Sequence, residues 1–533
     1  MPQFELQFID LVMVALYILV IVGIGFYFSR QQKSTDDYFL AGRSLTWGLI
    51  GFSLYASNMS TSSLVGMAGE AYSTGIAVFN YEWMAVVVLI IFALFFLPFY
   101  LRSQIFTMPE FLERRFDERS RYYFSVVTVT GNILIDTAGA LYAGALVIQL
   151  IYPEFPMWQS VVILAVLSGL YTIAGGLKAV VYTDAIQAVL LLMASVAVSW
   201  IAWEQVGSWQ AVKDVTPPEM LSLIRPATDD VLPWPGLLTG VFLLGFYFWG
   251  TNQFMVQRTL GAKDLDHGRW GALFAGLLKV PVIFIMVLPG TFARVLYSPD
   301  TYQALAARPD MVFPTMLFDL LPIGVRGLVL AALVAAIMSS VDSTLNSAST
   351  LVTMDFIKKL RPDASNKTLV VTGRVTTFVF MMLAAAWAPL ILNFPSLWQY
   401  LQNVLAYLSP PVVACFVMGL FWPRANRHSA FAGLIVGHAA AIGMAVMQYG
   451  FGLFTIQFLY IPAILVSISA VTIYLVSVMG EEPDPEKVAE YTWTPATFRE
   501  EIAHVNGLPW YQNFFVQSAV LLGLIAVVIA MFW

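Results

Sequence analysis

Charged residues and cysteine are both scarce in this chain. Asp, Glu, Lys and Arg make up only 11% of its 533 residues, and 59% are hydrophobic, which excludes an ordinary soluble globular domain. The net charge of −6 adds little, because the acidic residues gather in two connections. The single cysteine, Cys415, lies in an apolar run and leaves no intramolecular disulfide to form.

Residues suited to catalysis are also few. The chain has four histidines, none of them paired at the spacing of metal ligands, and it contains neither GxSxG nor HExxH. The pattern therefore offers no nucleophile with an adjacent base. We expect neither an enzyme nor a protein that binds nucleic acid.

Apolar stretches of about 20 residues, the length of a membrane-spanning helix, recur along the chain. No basic residue precedes the first stretch and no small-residue cleavage site follows it, so we expect it to be retained as a helix in the lipid bilayer. Fourteen stretches can be counted, near residues 8–29, 45–70, 79–101, 122–150, 158–174, 178–203, 237–260, 271–295, 326–357, 369–393, 397–421, 430–448, 458–479 and 513–533.

Lysine and arginine are distributed unevenly between the connections. If the N-terminus lies outside, the cytoplasmic connections hold 21 basic residues, Arg30, Lys33 and Arg258 among them, and the outer ones hold five. One more, Lys279, lies within a span. By the positive-inside rule, this asymmetry favours fourteen helices with both termini outside.

Three connections have a distinct composition. Residues 204–236 are rich in proline and acidic residues, and 480–511 begin with an acidic run, so both are predicted to be solvated loops. Residues 104–121 are predicted to contain a short amphipathic helix at the membrane interface, opened by Pro109 after Thr107.

The second span is interrupted by polar residues at the depth where lipid tolerates them least. Residues 57–63 read SNMSTSS, and each unpaired polar group in hydrocarbon costs several kcal/mol. We interpret this span as a broken helix whose freed carbonyls and side chains bind an ion or a solute. Glycines surround the run, at Gly48, Gly51, Gly66 and Gly69.

A second glycine-interrupted span, 237–260, stands five spans after the first one. This spacing is typical of an inverted repeat of five helices.

Five ionisable residues lie within apolar spans, where each costs about 2.5–3.5 kcal/mol and tends to face a partner or a cavity. Glu82 has two interpretations: an interfacial carboxylate beside Trp83, or an acceptor for solute hydroxyls. Lys279 either snorkels to the surface or is turned inward at the Pro281 kink, with Glu82 as its partner. The five residues are Glu82, Asp136, Asp184, Lys279 and Asp342.

A row of small residues marks the span near 326–357. Ala336, Ser339, Ser340 and Ser343 follow the i, i+3, i+4, i+7 pattern of one helix face. Membrane serines often bond only their own i−4 carbonyl or join helices together. Next to Asp342 and opposite a polar broken helix, however, these hydroxyls offer the oxygen ligands that a hard monovalent cation prefers.

Six strings of residues resemble the sodium/solute symporter family, and within it the sodium/glucose cotransporter branch. The resemblance runs in order over nearly the whole chain. The strings are DDYFLAGRSL (36–45), SLYASNMS (53–60), YEWM (81–84), GGLKAVVYTDAIQ (175–187), NQFMVQRTLGAK (252–263) and MSSVDSTLNSASTLVTMD (338–355).

This resemblance implies an all-α polytopic membrane protein with a LeuT-type fold, that is, two inverted five-helix repeats plus extra helices. The implied division is an extra helix and cytoplasmic loop (1–44), a first repeat (45–206), an external loop (207–236), a second repeat (237–425) and three C-terminal helices (426–533) with a polar loop at 480–511.

The resemblance also implies a sodium site and a solute site. Sodium would be held by carbonyls of Ala56, Met59 and Ala336 with hydroxyls of Ser339 and Ser340. The solute contacts would be Asn58, Ser63, Glu82, Lys279 and Gln402, with Phe248 and Tyr247 closing the pocket from below and Trp249 beside them.

A second sodium site or a sodium-release path is a further implication. Asp184 matches a family aspartate with one of these roles, and Ser343 fits the second site, but Asp342 stands where a serine would be. The number of sodium ions per cycle therefore stays open.

Several positions depart from relatives that carry galactose. Phe248 replaces a tyrosine, Gly245 an asparagine and Ala85 a serine, while Ser63 is smaller than the glutamine or histidine of relatives. The resemblance thus implies a sodium-coupled symporter in the plasma membrane, or the inner membrane of a bacterium, that imports another hexose or a larger sugar by alternating access. The alternatives are a sialic acid, inositol or an amino acid as solute, or a sodium-conducting channel.

Overall fold

The computed structural model describes residues 7–29, 34–152, 154–393 and 397–533. Across these ranges the chain is helical apart from its turns and connections, and the extended pairings are two isolated backbone bridges. Arg30 and Lys33, which entered the charge count, lie outside the described residues.

Nine helices in the described ranges are long and apolar enough to cross a bilayer, and two bent pairs raise the number to eleven. The nine are Phe8–Phe28, Ile76–Arg102, Glu118–Gln149, Gly176–Val206, Val325–Leu360, Asn366–Ile391, Arg427–Gly450, Ile461–Met479 and Phe514–Met531. The bent pairs are Leu265–Lys279 with Ile283–Leu296, and Tyr400–Leu408 with Pro410–Phe421.

The other three predicted spans are helical but are short or interrupted. Residues 45–70 form Trp47–Asn58 and Thr61–Thr74, which we call the first broken helix. Residues 237–260 form helical turns up to Thr251 and then Gln253–Leu260, the second broken helix. Residues 158–174 belong to the long helix Met157–Val206, which Gly176 interrupts with a φ of 58°.

The remaining helices are short and lie in connections. They are Thr35–Leu40, Met108–Arg115, Trp209–Val215, Gln303–Ala306, Val312–Leu320, Pro485–Tyr491 and Pro495–Val505, with single 3-10 turns at Ala41–Arg43, Pro218–Leu221, Pro309–Met311 and Ala388–Asn393. Met108–Arg115 confirms the predicted short helix, since Pro109 stands in its first turn and the Thr107 hydroxyl accepts from the Glu110 amide at 3.2 Å; its location at the membrane interface stays a prediction.

The prediction that 204–236 and 480–511 are plain solvated loops is wrong. Each contains a helix with a side-chain cap, at Ser208 and Thr494 respectively. The second connection is also docked, because Glu501 is buried and forms an ion pair with Arg269 at 2.5 Å. Acidic composition alone did not reveal this buried ion pair.

The first broken helix breaks at Met59 and Ser60. In an unbroken helix the Ser60 amide would reach the Ala56 carbonyl, but it donates to the Asn58 carbonyl at 2.9 Å. The Ser63 amide donates to the Ser60 carbonyl at 3.0 Å rather than to Met59. The break therefore leaves the Ala56 and Met59 carbonyls without their regular helical donors.

A backbone bridge ties the two broken helices together. The Leu45 amide donates to the Gly261 carbonyl, and the Lys263 amide donates to the Leu45 carbonyl, both at 3.0 Å. The start of one broken helix thus lies beside the end of the other, as an inverted pair requires.

The glycines around the first break serve packing rather than bending. Gly51 and Gly69 are helical, and a Cβ at either would collide with a neighbouring segment, Phe274 or the Pro309 backbone respectively. The same close approach occurs at Gly290, where a Cβ would enter the backbone of Ala68. The helix Leu288–Leu296 and the Thr61–Thr74 half-helix can therefore touch backbone to backbone.

Gly290→Ala is expected to destabilise the protein by about 1–3 kcal/mol, because the added methyl forces the two backbones apart. Gly443→Ala is the matched control, since no atom lies within 4 Å of its Cβ position and alanine favours a helix. Thermal unfolding in detergent, followed by tryptophan fluorescence, would compare them. Equal midpoints for Gly290→Ala and wild type would contradict the close-packing argument.

Candidate functional site

A cavity of about 140 Å³ lies at the break of the first broken helix. Its lining combines hydroxyl, amide and carboxyl groups with aromatic rings and small apolar side chains. The residues are Ser57, Asn58, Ser60, Ser63, Tyr81, Glu82, Ala85, Asp136, Ala140, Val241, Leu244, Gly245, Phe248, Trp249, Phe254, Ser340, Thr344, Trp398, Leu401, Gln402 and Leu405. Such a mixture suits a small solute with several hydrogen-bonding groups.

Most of the predicted solute contacts reach this cavity. Asn58, Ser63, Glu82, Gln402, Phe248 and Trp249 line it. Tyr247 is buried next to them without lining the cavity, and its carbonyl accepts from the Asn252 amide at the turn. Lys279 also lies outside the lining.

Lys279 forms a buried ion pair instead. Its Nζ donates to Glu82 Oε2 at 2.5 Å and lies 5.1 Å from the ring centroid of Trp249. The lysine is 0% exposed, so it does not snorkel to the surface. Glu82 therefore lines the cavity while Lys279, outside the lining, compensates its charge. Its neighbour Trp83 donates to Asn80 Oδ1 at 2.5 Å.

The break itself presents one unsatisfied group. The Ser63 hydroxyl donates to the Asn58 carbonyl at 2.8 Å, so a side-chain hydrogen bond spans the break. Asn58 Oδ1, in contrast, is buried and has no hydrogen-bond partner among the residues described. An orphaned acceptor of this kind costs about 1–3 kcal/mol, which a donor on a bound solute would recover.

The predicted sodium ligands lie on the first broken helix and on one further helix. Ala56, Met59 and Ala336 are fully buried in one shared cluster. On the helix Val325–Leu351, which we call the serine helix, the Ser339 hydroxyl donates to Asp184 at 2.6 Å and the Ser340 hydroxyl donates to the Ala336 carbonyl at 3.0 Å. Both protons are engaged, so the oxygen lone pairs stay available to a cation.

A model of the sodium:solute symporter family matches residues 38–437, about three quarters of the chain. The chain belongs to the sodium:solute symporter family. It is a sodium-coupled, multi-pass membrane transporter, and its homologues are transporters, not enzymes.

Curated relatives cover nearly all of this symporter. Sodium/glucose cotransporter 4 of Danio rerio is 36% identical, with 95% of this chain and 84% of that protein covered. Sodium/myo-inositol cotransporter 2 of Oryctolagus cuniculus is 34% identical, with 95% of this chain and 83% of that protein covered.

Solved structures confirm the predicted LeuT-type fold. A Na⁺-coupled sialic acid symporter in a substrate-bound outward-open state has a TM-score of 0.79 and 23% identity, with 90% of this symporter and 100% of that chain covered. Mhp1, a nucleobase-cation-symport-1 family transporter, has a TM-score of 0.51 and 14% identity, with 88% and 99% covered.

Behind the serine helix, Asp184 is the centre of a buried polar network in the symporter. Its carboxylate accepts from Ser53 at 2.5 Å, from Ser57 at 3.3 Å, from Ser339 at 2.6 Å and from Arg258 at 3.3 Å. Ser53 in turn accepts from Arg258 Nε at 2.8 Å. The aspartate thus links the first repeat to the second through hydroxyls and one guanidinium.

Ser343 and Asp342 continue the network. Ser343 accepts from the same Arg258 guanidinium, lies 3.2 Å from the Ser57 hydroxyl and donates to Asp342 at 3.2 Å. The residues predicted for a second sodium site or a release path, Asp184, Asp342 and Ser343, therefore lie in one network. In this conformation Arg258 already donates to two of them, Asp184 and Ser343.

The placement of Arg258 in a cytoplasmic loop is wrong. The structure puts it in the second broken helix with 1% of its side chain exposed. A hydropathy profile assigns an arginine at the end of a span to the nearest loop. It scores residues along the chain only and so cannot show that Arg258 lies close to Asp184 in space. Tyr81, Thr344 and Trp398 were also missed, since isolated polar or aromatic residues carry no functional signal in a membrane helix.

Breaking the Asp184–Arg258 pair is expected to destabilise the symporter by about 3–5 kcal/mol, because Arg258→Met leaves a buried carboxylate without its counter-charge. The double variant Asp184→Asn with Arg258→Met removes both charges and should recover much of this loss. Unfolding midpoints of the two single variants, the double variant and wild type form the test. Additive losses in the double variant would show that the two side chains are not coupled.

Proposed function

We propose that this symporter imports a neutral, polyhydroxylated solute, a hexose-like sugar, together with sodium by alternating access. The observation that carries the proposal is the cavity at the first break, in which Asn58 Oδ1 lacks a donor and Glu82 and Gln402 offer further polar groups. Sugar hydroxyls donate to such acceptors, and the rings of Phe248 and Trp249 suit the apolar face of a pyranose.

The named solutes of the relatives support this class. Glucose and myo-inositol, carried by the cotransporters named above, are both neutral and polyhydroxylated. Inositol therefore belongs to the same chemical class as the proposed sugar. The departures at Gly245 and Ala85 leave parts of the cavity wall without side-chain hydrogen-bonding groups, which favours a solute other than galactose.

A carboxylated solute, such as a sialic acid or an amino acid, fits less well. Within the described lining there is no lysine, arginine or histidine, and Lys279 is engaged by Glu82. A carboxylate in this cavity would meet acidic side chains without a cationic anchor. A simple sodium channel is also disfavoured, because it would not need a solute cavity built from both repeats.

The sodium site is proposed at Ala56, Met59, Ala336, Ser339 and Ser340. Sodium there would join the first broken helix to the serine helix, whose Ser340 also lines the cavity. Joining the two helices favours one conformation of the pocket, which is how sodium and solute binding become coupled. Asp184, Ser343 and Asp342 then form a path for sodium release or a second site.

The gate and the orientation complete the proposal. Phe248, 5.4 Å from the ring of Phe254, would close the pocket from below together with Tyr247 and Trp249. Both termini would lie outside, in a plasma membrane or a bacterial inner membrane, as the distribution of basic residues predicts.

Sodium is expected to tighten sugar binding by the same factor by which sugar tightens sodium binding. Titration of the purified protein with the transported sugar, in sodium chloride and in choline chloride, measures this factor. Equal affinities in the two salts would remove the proposed coupling.

Ser340→Ala is expected to lower the apparent sodium affinity for uptake by about tenfold, or 1.4 kcal/mol, because one oxygen ligand is lost. Ser467→Ala is the matched control, since its hydroxyl also donates to its own i−4 carbonyl, Ala463, but at an exposed membrane position. Sodium-dependent uptake into proteoliposomes provides the measurement. Wild-type sodium dependence in Ser340→Ala would contradict the sodium-site assignment.

Gly245→Asn is expected to improve galactose uptake relative to wild type, because the new amide adds hydrogen-bonding groups to the cavity wall. The change is sterically mild, since the nearest atom to a Cβ at this position is Val88 Cγ2 at 3.5 Å. The measurement is competition between galactose and the preferred sugar for uptake, in this variant and in Gly245→Ala. Comparing the two variants separates the effect of the added hydrogen-bonding groups from the effect of the added volume. Identical preferences in both variants would contradict this role.

A further inference from the structure

A second carboxylate, Asp136, lines the same cavity and has no role in the proposal above. It lies in a π-helical turn, Asn132–Thr137, inside the membrane helix Glu118–Gln149. An extra residue in such a turn changes which side chain faces inward, and turns of this type are frequent at functional sites.

The π-helical turn is clamped to the serine helix on both sides of Asp136. Asn132 donates to the Ser347 hydroxyl at 2.9 Å, and the hydroxyls of Thr137 and Thr344 lie 2.6 Å apart. Thr344 also lines the cavity. The backbone that carries Asp136 is therefore held against the helix that contains the proposed sodium ligands.

Asp136 differs from Glu82 in its surroundings. Glu82 is compensated by Lys279, whereas Asp136 has neither an ion pair nor a hydrogen bond within the described residues. The phenol groups of Tyr247 and Tyr400 lie close enough for an electrostatic interaction with Asp136, but neither donates a hydrogen bond to it. A carboxylate within the membrane-spanning region costs free energy unless hydrogen-bond donors reach it.

We propose that Asp136 is a solute-contacting residue that determines specificity: it accepts hydrogen bonds from hydroxyls of a neutral sugar or cyclitol and excludes anionic sugars. The inference rests on the proposed function and names the charge class of its solute. Asp136 is an uncompensated carboxylate in a cavity whose described lining has no basic side chain, which makes a second uncompensated negative charge there unfavourable. Hydroxyl donors, in contrast, satisfy this carboxylate.

The first arm of the test uses the wild-type protein in proteoliposomes with an inward sodium gradient. Uptake of D-glucose, D-galactose and myo-inositol identifies the preferred neutral solute, and D-glucuronate is the anionic competitor. We expect glucuronate to compete at least about tenfold more weakly than the best neutral solute. Competition equal to that of the neutral solute would overturn the role of Asp136 without requiring any variant.

The second arm compares Asp136→Asn with Asp230→Asn, a change at an exposed carboxylate of the outer connection. Asp136→Asn is expected to raise KM for the neutral solute by about tenfold, to reduce its preference over glucuronate by a similar factor, and to leave the sodium concentration for half-maximal uptake within about twofold. Asp230→Asn should match wild type in all three.

The outcomes separate the inference from the proposed function. If wild type takes up none of the neutral solutes in a sodium-dependent way, the proposed function fails. If wild type transports one of them and Asp136→Asn keeps its KM and its preference, the inference about Asp136 is overturned. A fall in maximal rate with KM and preference unchanged would indicate a structural role and would also overturn it. If Asp136→Asn cannot be recovered folded, Asp136→Ser undergoes the same measurements.

Discussion

The hydrocarbon interior of the membrane requires every backbone polar group to find a partner, and the rest of this structure depends on the break in the first broken helix, where regular helical bonding does not provide one. The amides of Ser60 and Ser63 shift to nearer acceptors, and the carbonyls of Ala56 and Met59 lose their regular donors. Such a break is stable only where it faces a cavity, so the cavity, the serine helix and the second repeat all lie around it.

Charge compensation is the second constraint, and it explains how the helices are held around that cavity. Lys279 with Glu82 joins the third and eighth predicted spans, and Arg258 with Asp184 joins the second broken helix to the first repeat. Each pair is buried, so each charge would be costly alone, and the pairs restrict the helices to arrangements in which both partners meet. Asp136 also lies in the cavity but has no ion pair among the described residues.

Much of the fold could be predicted because its signals are local. Hydropathy located stretches that are helical in the described residues, nine to eleven of them long and apolar enough to cross a bilayer, and the run SNMSTSS located the break, since both depend on residues adjacent in the chain. The glycines near the break accompany the predicted broken helix, but Gly51 and Gly69 are helical and allow close packing. The connection 480–511 looked solvated because its buried contact, Glu501 with Arg269, spans more than 200 residues.

The sequence by itself determined the membrane setting, the positions of the apolar stretches and the position of the break, because about 20 consecutive apolar residues are enough to cross the hydrocarbon core. Only the tertiary structure decided which charges are paired and which face the cavity. Lys279 and Glu82 are 197 residues apart, and Arg258 and Asp184 are 74 apart. Coulombic attraction and the cost of desolvation depend on distances in space, which composition and periodicity do not contain.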